Sequence, residues 1–144
     1  MTQLLRYLVT LLFIQTIYCY CIYNNSDGTY RVRQQPYNAG GTYFSRFAVE
    51  QLKPGDKACC AYTNSDCVKN NDPNDPVWFS VWRLDKIEGV PRYAYFPNTD
   101  INVPAGGWLE FGGTGIDASF IRVFYANGTD FDFQRKIDFQ SGYY

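Results

Sequence analysis

The chain has 144 residues, a net charge of −1 at neutral pH and no histidine. That length suits one compact core. The missing histidine excludes Ser-His-Asp and Cys-His catalysis and the usual His-containing zinc sites, and no basic run with interleaved aromatics offers a nucleic-acid face.

At the N-terminus, Met1 to Arg6 forms a short, positively ended leader, and Tyr7 to Tyr18 is an almost unbroken apolar run. A small residue, Cys19, follows, with Ile17 two positions before it. This is the layout of a secretory signal peptide, 1–19, ahead of a single domain over 20–144. The apolar run is too short and too close to the terminus for a comfortable membrane span. Cleavage after Cys19 leaves four of the five cysteines, an even number, whereas cleavage after Cys21 leaves three. The expected location is therefore secreted and extracellular.

Past the leader, apolar residues alternate or run in short blocks between Gly, Pro, Asn and Asp, and no helix is expected. Predicted strands are Tyr20–Tyr23, Thr29–Gln34, Thr42–Gln51, Lys57–Tyr62, Val77–Lys86, Arg92–Phe96, Trp108–Phe111, Ser119–Tyr125 and Phe131–Phe139. Turn signals separate them, among them Asn25-Ser26-Asp27-Gly28, Pro54-Gly55-Asp56 and Pro97-Asn98. Many short strands at this spacing predict an all-β antiparallel sandwich or partly closed barrel. Aromatic residues make up 19% of the chain, so a small domain can still assemble a core.

Cys21, Cys59, Cys60 and Cys67 are the expected disulfide cysteines. Neighbours on a strand face opposite ways, so Cys59 and Cys60 should each reach elsewhere, one to Cys67 and one to Cys21. By loop entropy the long bridge contributes about 4 kcal/mol and the short one about 2.5 kcal/mol. A Cys-only metal site is the weaker alternative, and no cofactor is expected. Asp66, Asn70, Asn71, Asp72, Asn74 and Asp75 crowd one loop. They lack the ordered spacing and closing Glu of a calcium loop, and they are good turn formers. Two sequons, at Asn24 and Asn127, fall on turns where a glycan could project into solvent.

Val77-Trp78-Phe79-Ser80-Val81-Trp82 is apolar on both faces. If Val77, Phe79 and Val81 face the core, Trp78 and Trp82 form an outward pair about 13 Å apart, a spacing suited to an extended glycan. Tyr93 and Tyr95 make a similar, weaker pair. If a loop covers the Trp side, these rings are core instead. Glu50, Asp85, Glu88, Glu110 and Asp130 are the carboxylates a small glycosidase could use, but nothing in the sequence sets two of them across a cleft. Near the chain's end, a three-residue loop, Ala126-Asn127-Gly128, with Gly128 in the left-handed bulge position, pairs Val123 with Phe131 and Ile121 with Phe133.

Leu52-Lys53-Pro54-Gly55-Asp56, then Cys59-Cys60 and Cys67, and later Val103-Pro104-Ala105-Gly106-Gly107-Trp108, resemble small secreted cysteine-containing proteins of fungi of the candidate effector type. The resemblance implies secretion and non-enzymatic action, and carries no defined biochemical activity. Aegerolysin-like lipid binders share the size and aromatic content without a matching motif, and thaumatin-like proteins are far richer in cysteine. The expectation is a non-enzymatic binding protein whose partner is an extracellular glycan or a host or surface protein. A membrane-lipid-binding sandwich is the alternative, using exposed Tyr and Trp at the lipid interface.

Overall fold

The computed structural model describes residues 19–37, 41–42, 44–87 and 90–137, with the backbone alone at 85–87, 90–98 and 137. Of the signal peptide expected over 1–19, residues 1–18 lie outside the described residues, as do the side chains of Tyr93 and Tyr95. The described part is all-β. Its strands are β1 (Cys19–Asn24), β2 (Thr29–Gln34), β3 (Ala48–Leu52), β4 (Lys57–Ala61), β5 (Pro76–Ile87), β6 (Val90–Pro104), β7 (Trp108–Gly112), β8 (Phe120–Phe124) and β9 (Arg135–Ile137). They form two sheets, of order β4-β1-β7-β8 and β3-β2-β5-β6-β9. All pairings are antiparallel except β1 with β7, which run parallel at the centre of the smaller sheet.

The alternation read from the sequence sets the core. Tyr20 and Ile22 of β1, Leu109 and Phe111 of β7 and Val123 of β8 face Tyr30 and Val32 of β2, Val77, Phe79 and Val81 of β5, and Ile101 and Val103 of β6. Each such side chain, fully buried, contributes about 1.5–3 kcal/mol. Tyr30 stacks on Phe111 across the two sheets at 4.0 Å between ring centres. Tyr20 packs edge-on against Phe47 and Phe79. Its hydroxyl donates to Gln34 Oε1 at 3.2 Å, and burial pushes the phenol above its ordinary range.

One end of the sandwich is closed by a charge. Arg83, 6% exposed, continues the inward row of β5. It donates to Asp27 Oδ1 at 2.9 Å, to the carbonyl of Gly115 at 2.7 Å and to the Ser119 hydroxyl. Asp27 also accepts from the Gly115 amide at 2.8 Å. That backbone bond, with Arg83 beside it, holds the Asp27 carboxyl below its ordinary value of 3.8. The clamp ties the β1–β2 turn to the loop between β7 and β8.

Three predicted elements differ. Thr42 and residues 44–47 do not form the start of a strand: the amides of Ser45 and Arg46 donate to the Thr42 carbonyl, and the Thr42 and Ser45 hydroxyls join the same cluster. Local bonds of this kind compete with strand pairing. The Arg92–Phe96 strand is part of a 15-residue β6 that runs through Pro97-Asn98. The last hairpin keeps its predicted register only at the turn. Gly128 has φ 85°, Phe124 bridges Asp130, and the Phe131 amide donates to the Val123 carbonyl. The chain then leaves β8, and Arg135–Ile137 pairs with β6 of the other sheet, so Ile121 and Phe133 do not form a strand pair.

Candidate functional site

Val77, Phe79 and Val81 face the core, so Trp78, Ser80 and Trp82 lie on the outer face of the five-stranded sheet. The two rings do not form an open platform. Trp78 is 8% exposed; Tyr37 meets it edge-on, and Lys136 Nζ sits 4.4 Å above its ring. Trp82 is partly exposed, with the Arg31 guanidinium 5.2 Å from its ring centre. Both indoles are thus capped by cations of the chain itself. Arg31 and Arg33 pair with Glu50 at 2.8 and 3.0 Å, and Ser80 joins Gln35 to Asp100 by hydrogen bonds. This face is a polar ladder laid over two rings.

The opposite surface, the outer face of the smaller sheet, carries a cleft of about 220 Å³. Cys19, Cys21 and Tyr23 enter it from β1. Gly106 and Gly107, from the turn before β7, form another side, and Trp108 and Ala126 complete it. Register explains the grouping: Cys21, Trp108 and Phe124 stand directly opposite one another on three adjacent strands. The indole of Trp108 is held in place. It stacks on Phe124 at 4.9 Å, and its Nε1 donates to Glu110 Oε1 at 2.9 Å. Arg122 lies over the Phe124 ring at 4.7 Å and pairs with Asp130 at 3.1 Å. A side chain on Gly107 would collide with the Phe124 carbonyl, and one on Gly106 with Pro73, so the close packing of this turn requires glycine at both positions.

Beside the cleft runs the first disulfide. Cys21 and Cys59 face each other in the β1–β4 register and are joined, and Cys60, on the other side of β4, is joined to Cys67. The pairing is one of the two combinations open from sequence, and the register selects it. The Sγ atoms of Cys19, Cys21 and Cys59 cluster within 4.8 Å, but two of the three are tied in the bridge and offer no thiolate to a metal. In the acidic loop, Asn70 donates to Asp75 and the Asn74 amide to Asp72, which are turn-closing bonds.

The candidate carboxylates are spread over both faces, with Asp130 paired to Arg122 beside Glu110 on the smaller sheet. Glu50 is on the outer face of one sheet and Glu110 on that of the other, each bound to its own neighbours. Glu88 and the side chain of Asp85 lie outside the described residues. The two sequons also separate. Asn24 is 0% exposed with its amide fully bonded, whereas Asn127 stands on an exposed turn. Trp108 was not among the expected site residues. Its signal is the pair of glycines immediately before a large ring, where backbone without side chains makes room beside an indole. No protein-family model, no curated protein and no solved structure matches the chain.

Proposed function

We propose that this chain is an exported, effector-like binding protein that takes an extracellular glycan at the Trp108 cleft, without catalysing a reaction on it. The observation that carries this reading is the cleft itself. It is concave, walled by two partly exposed aromatic rings, Trp108 and Tyr23, and its indole is fixed in advance by Phe124 and Glu110. A pre-positioned ring gives contact area at little entropic cost, which suits the flat face of a sugar. The two disulfides fit an oxidising destination. Processing after Cys19 would remove one wall residue and leave both rings. N-glycosylation belongs to the same export reading.

The lipid-surface alternative draws less support. Among the described residues the exposed large apolar side chains divide between the two ends of the sandwich: Tyr37 and Phe44 follow the end of β2 and Tyr125 the end of β8, while Ile116 and Phe120 belong to the loop and strand near the start of β2. A membrane-dipping tip would gather them at one end.

The test is a pull-down of the purified protein on insoluble chitin, cellulose and β-glucan, beside liposome co-sedimentation. Trp108→Ala and Tyr23→Ala should each weaken retention on the bound polysaccharide at least tenfold, while Trp82→Ala changes it less than twofold. Melting curves identify any variant that has lost its fold. Native-like Trp108→Ala and Tyr23→Ala variants that still bind normally, or wild-type protein retained only by liposomes, would overturn the reading.

A further inference from the structure

Of the two sequons, we infer that only Asn127 carries an N-linked glycan in the folded protein, and that Asn24 is excluded because its amide is built into the fold. The chemistry makes the distinction sharp. Glycan transfer forms a bond from the asparagine Nδ2 to the anomeric carbon of an oligosaccharide linked to a lipid diphosphate. The carbon–oxygen bond to the diphosphate breaks, the diphosphate leaves with the bonding pair, and Nδ2 gives up one proton. The product keeps a single N–H on Nδ2 and needs open space beyond it.

Asn24 offers neither. Its Nδ2 donates to the Gly28 carbonyl at 2.7 Å and the Leu52 carbonyl at 2.9 Å, so both hydrogens are used. The side chain is 0% exposed. Its Oδ1 accepts from the amide and hydroxyl of Ser26, the very hydroxyl that completes the sequon. A sugar there would remove one bond, displace the other and stand inside the protein. A chain modified at Asn24 before folding could not close the β1–β2 turn onto the end of β3.

Asn127 meets both needs. The turn 125–130 is exposed throughout. Thr129 donates to Asn127 Oδ1 from its amide at 3.0 Å and from its hydroxyl at 2.7 Å, and among the described residues Nδ2 has no hydrogen-bond partner. The turn is held by its own backbone, through Gly128 to Tyr125 and Tyr125 to Thr129, so a glycan disturbs no packing. Ala126, one residue away, lines the Trp108 cleft.

The inference rests on the export reading only for the route the chain takes by itself, and two arms keep them apart. The full chain is expressed in yeast with its own leader, and separately behind a yeast secretion signal. The secreted protein is deglycosylated enzymatically in ¹⁸O-water and peptide-mapped. Absence from the medium in the first arm alone would count against export. In the second arm the expected result is label at position 127, none at 24, and a one-glycan mobility shift that Asn127→Gln and Thr129→Ala each abolish without lowering the melting temperature of the deglycosylated protein. Label at Asn24 in protein with both disulfides intact, or secreted folded protein unlabelled at Asn127, would overturn the inference.

Discussion

Asn24 has no side-chain hydrogen-bonding capacity left over. Its amide reaches two carbonyls, on the β1–β2 turn and at the end of β3, and its oxygen serves Ser26. Its backbone amide donates to Asp56, and its carbonyl accepts from Gly55. One residue thus pins three chain segments. Asn24→Ala strands two carbonyls with little access to water and should cost about 3 kcal/mol, read as a shift in the urea midpoint at unchanged slope. A loss below about 1 kcal/mol would mean that water replaces the amide. From sequence Asn24 reads as a turn residue, because Asn-Asn-Ser-Asp-Gly is turn chemistry. The hidden fact is that β1 runs through it and aims its side chain inward. Composition cannot show whether a polar side chain at a strand end faces solvent or a set of backbone carbonyls.

Elements were more legible than single residues. β2 matches its predicted bounds, and β1, β4, β5, β7 and β8 lie within a residue or two of theirs, because alternation and turn residues agree there. Pro97-Asn98 misled for a physical reason. The register of β5 with β6 shifts between Val81 and Arg83, where Thr99 gives way to Ala94, so the turn signal marks an irregularity inside one strand. Among the described residues β9 pairs with Thr99, Asp100 and Ile101 and no strand pairs with the outer side of β6 at Pro97, where proline is tolerated. The disulfides give a prediction at this scale. Cys21–Cys59 spans 38 residues and Cys60–Cys67 spans 7. Loop entropy then predicts that the Cys21→Ser/Cys59→Ser pair costs about 4 kcal/mol and the Cys60→Ser/Cys67→Ser pair about 2.5 kcal/mol. Denaturant midpoints of the two double variants decide it. A larger loss from the shorter bridge would show that tying the acidic loop to β4 matters more than chain entropy.

At the scale of the whole molecule, the outward faces were the hard part. The sequence leaves Trp78 and Trp82 as either an outward pair or covered rings, and cannot show that Lys136 and Arg31 cap them, since those cations arrive from residues 58 and 51 positions away in the chain. The cleft was hidden for the same reason: Tyr23, Trp108 and Ala126 meet only through the pairing of β1 with β7 and of β7 with β8. Strand order, which one sequence does not display, creates both faces.

The absence of histidine shapes the pH response of the entire fold. No side chain has an ordinary pKa between pH 5 and 8, so stability should be nearly flat across that range. Asp27 and Tyr20 bend it at the ends. The folded-state pKa of Asp27 is depressed, so its contribution is complete above 3.8 and is lost as the pH falls through the lower folded value. Tyr20 works in the opposite sense. Burial raises its folded-state pKa, so nothing is lost below 10, and above it the unfolded chain ionises while the folded one resists. Urea midpoints measured from pH 2.5 to 11 should therefore show a plateau with a fall at each end. Asp27→Asn should lower the plateau and flatten the acid limb, leaving the alkaline limb in place. Tyr20→Phe keeps the ring between Phe47 and Phe79, loses the bond to Gln34 and should flatten the alkaline limb alone. An alkaline limb unchanged in Tyr20→Phe would show that another group opens the core, and the inward row of β1 would then not be the part of the sandwich that base attacks.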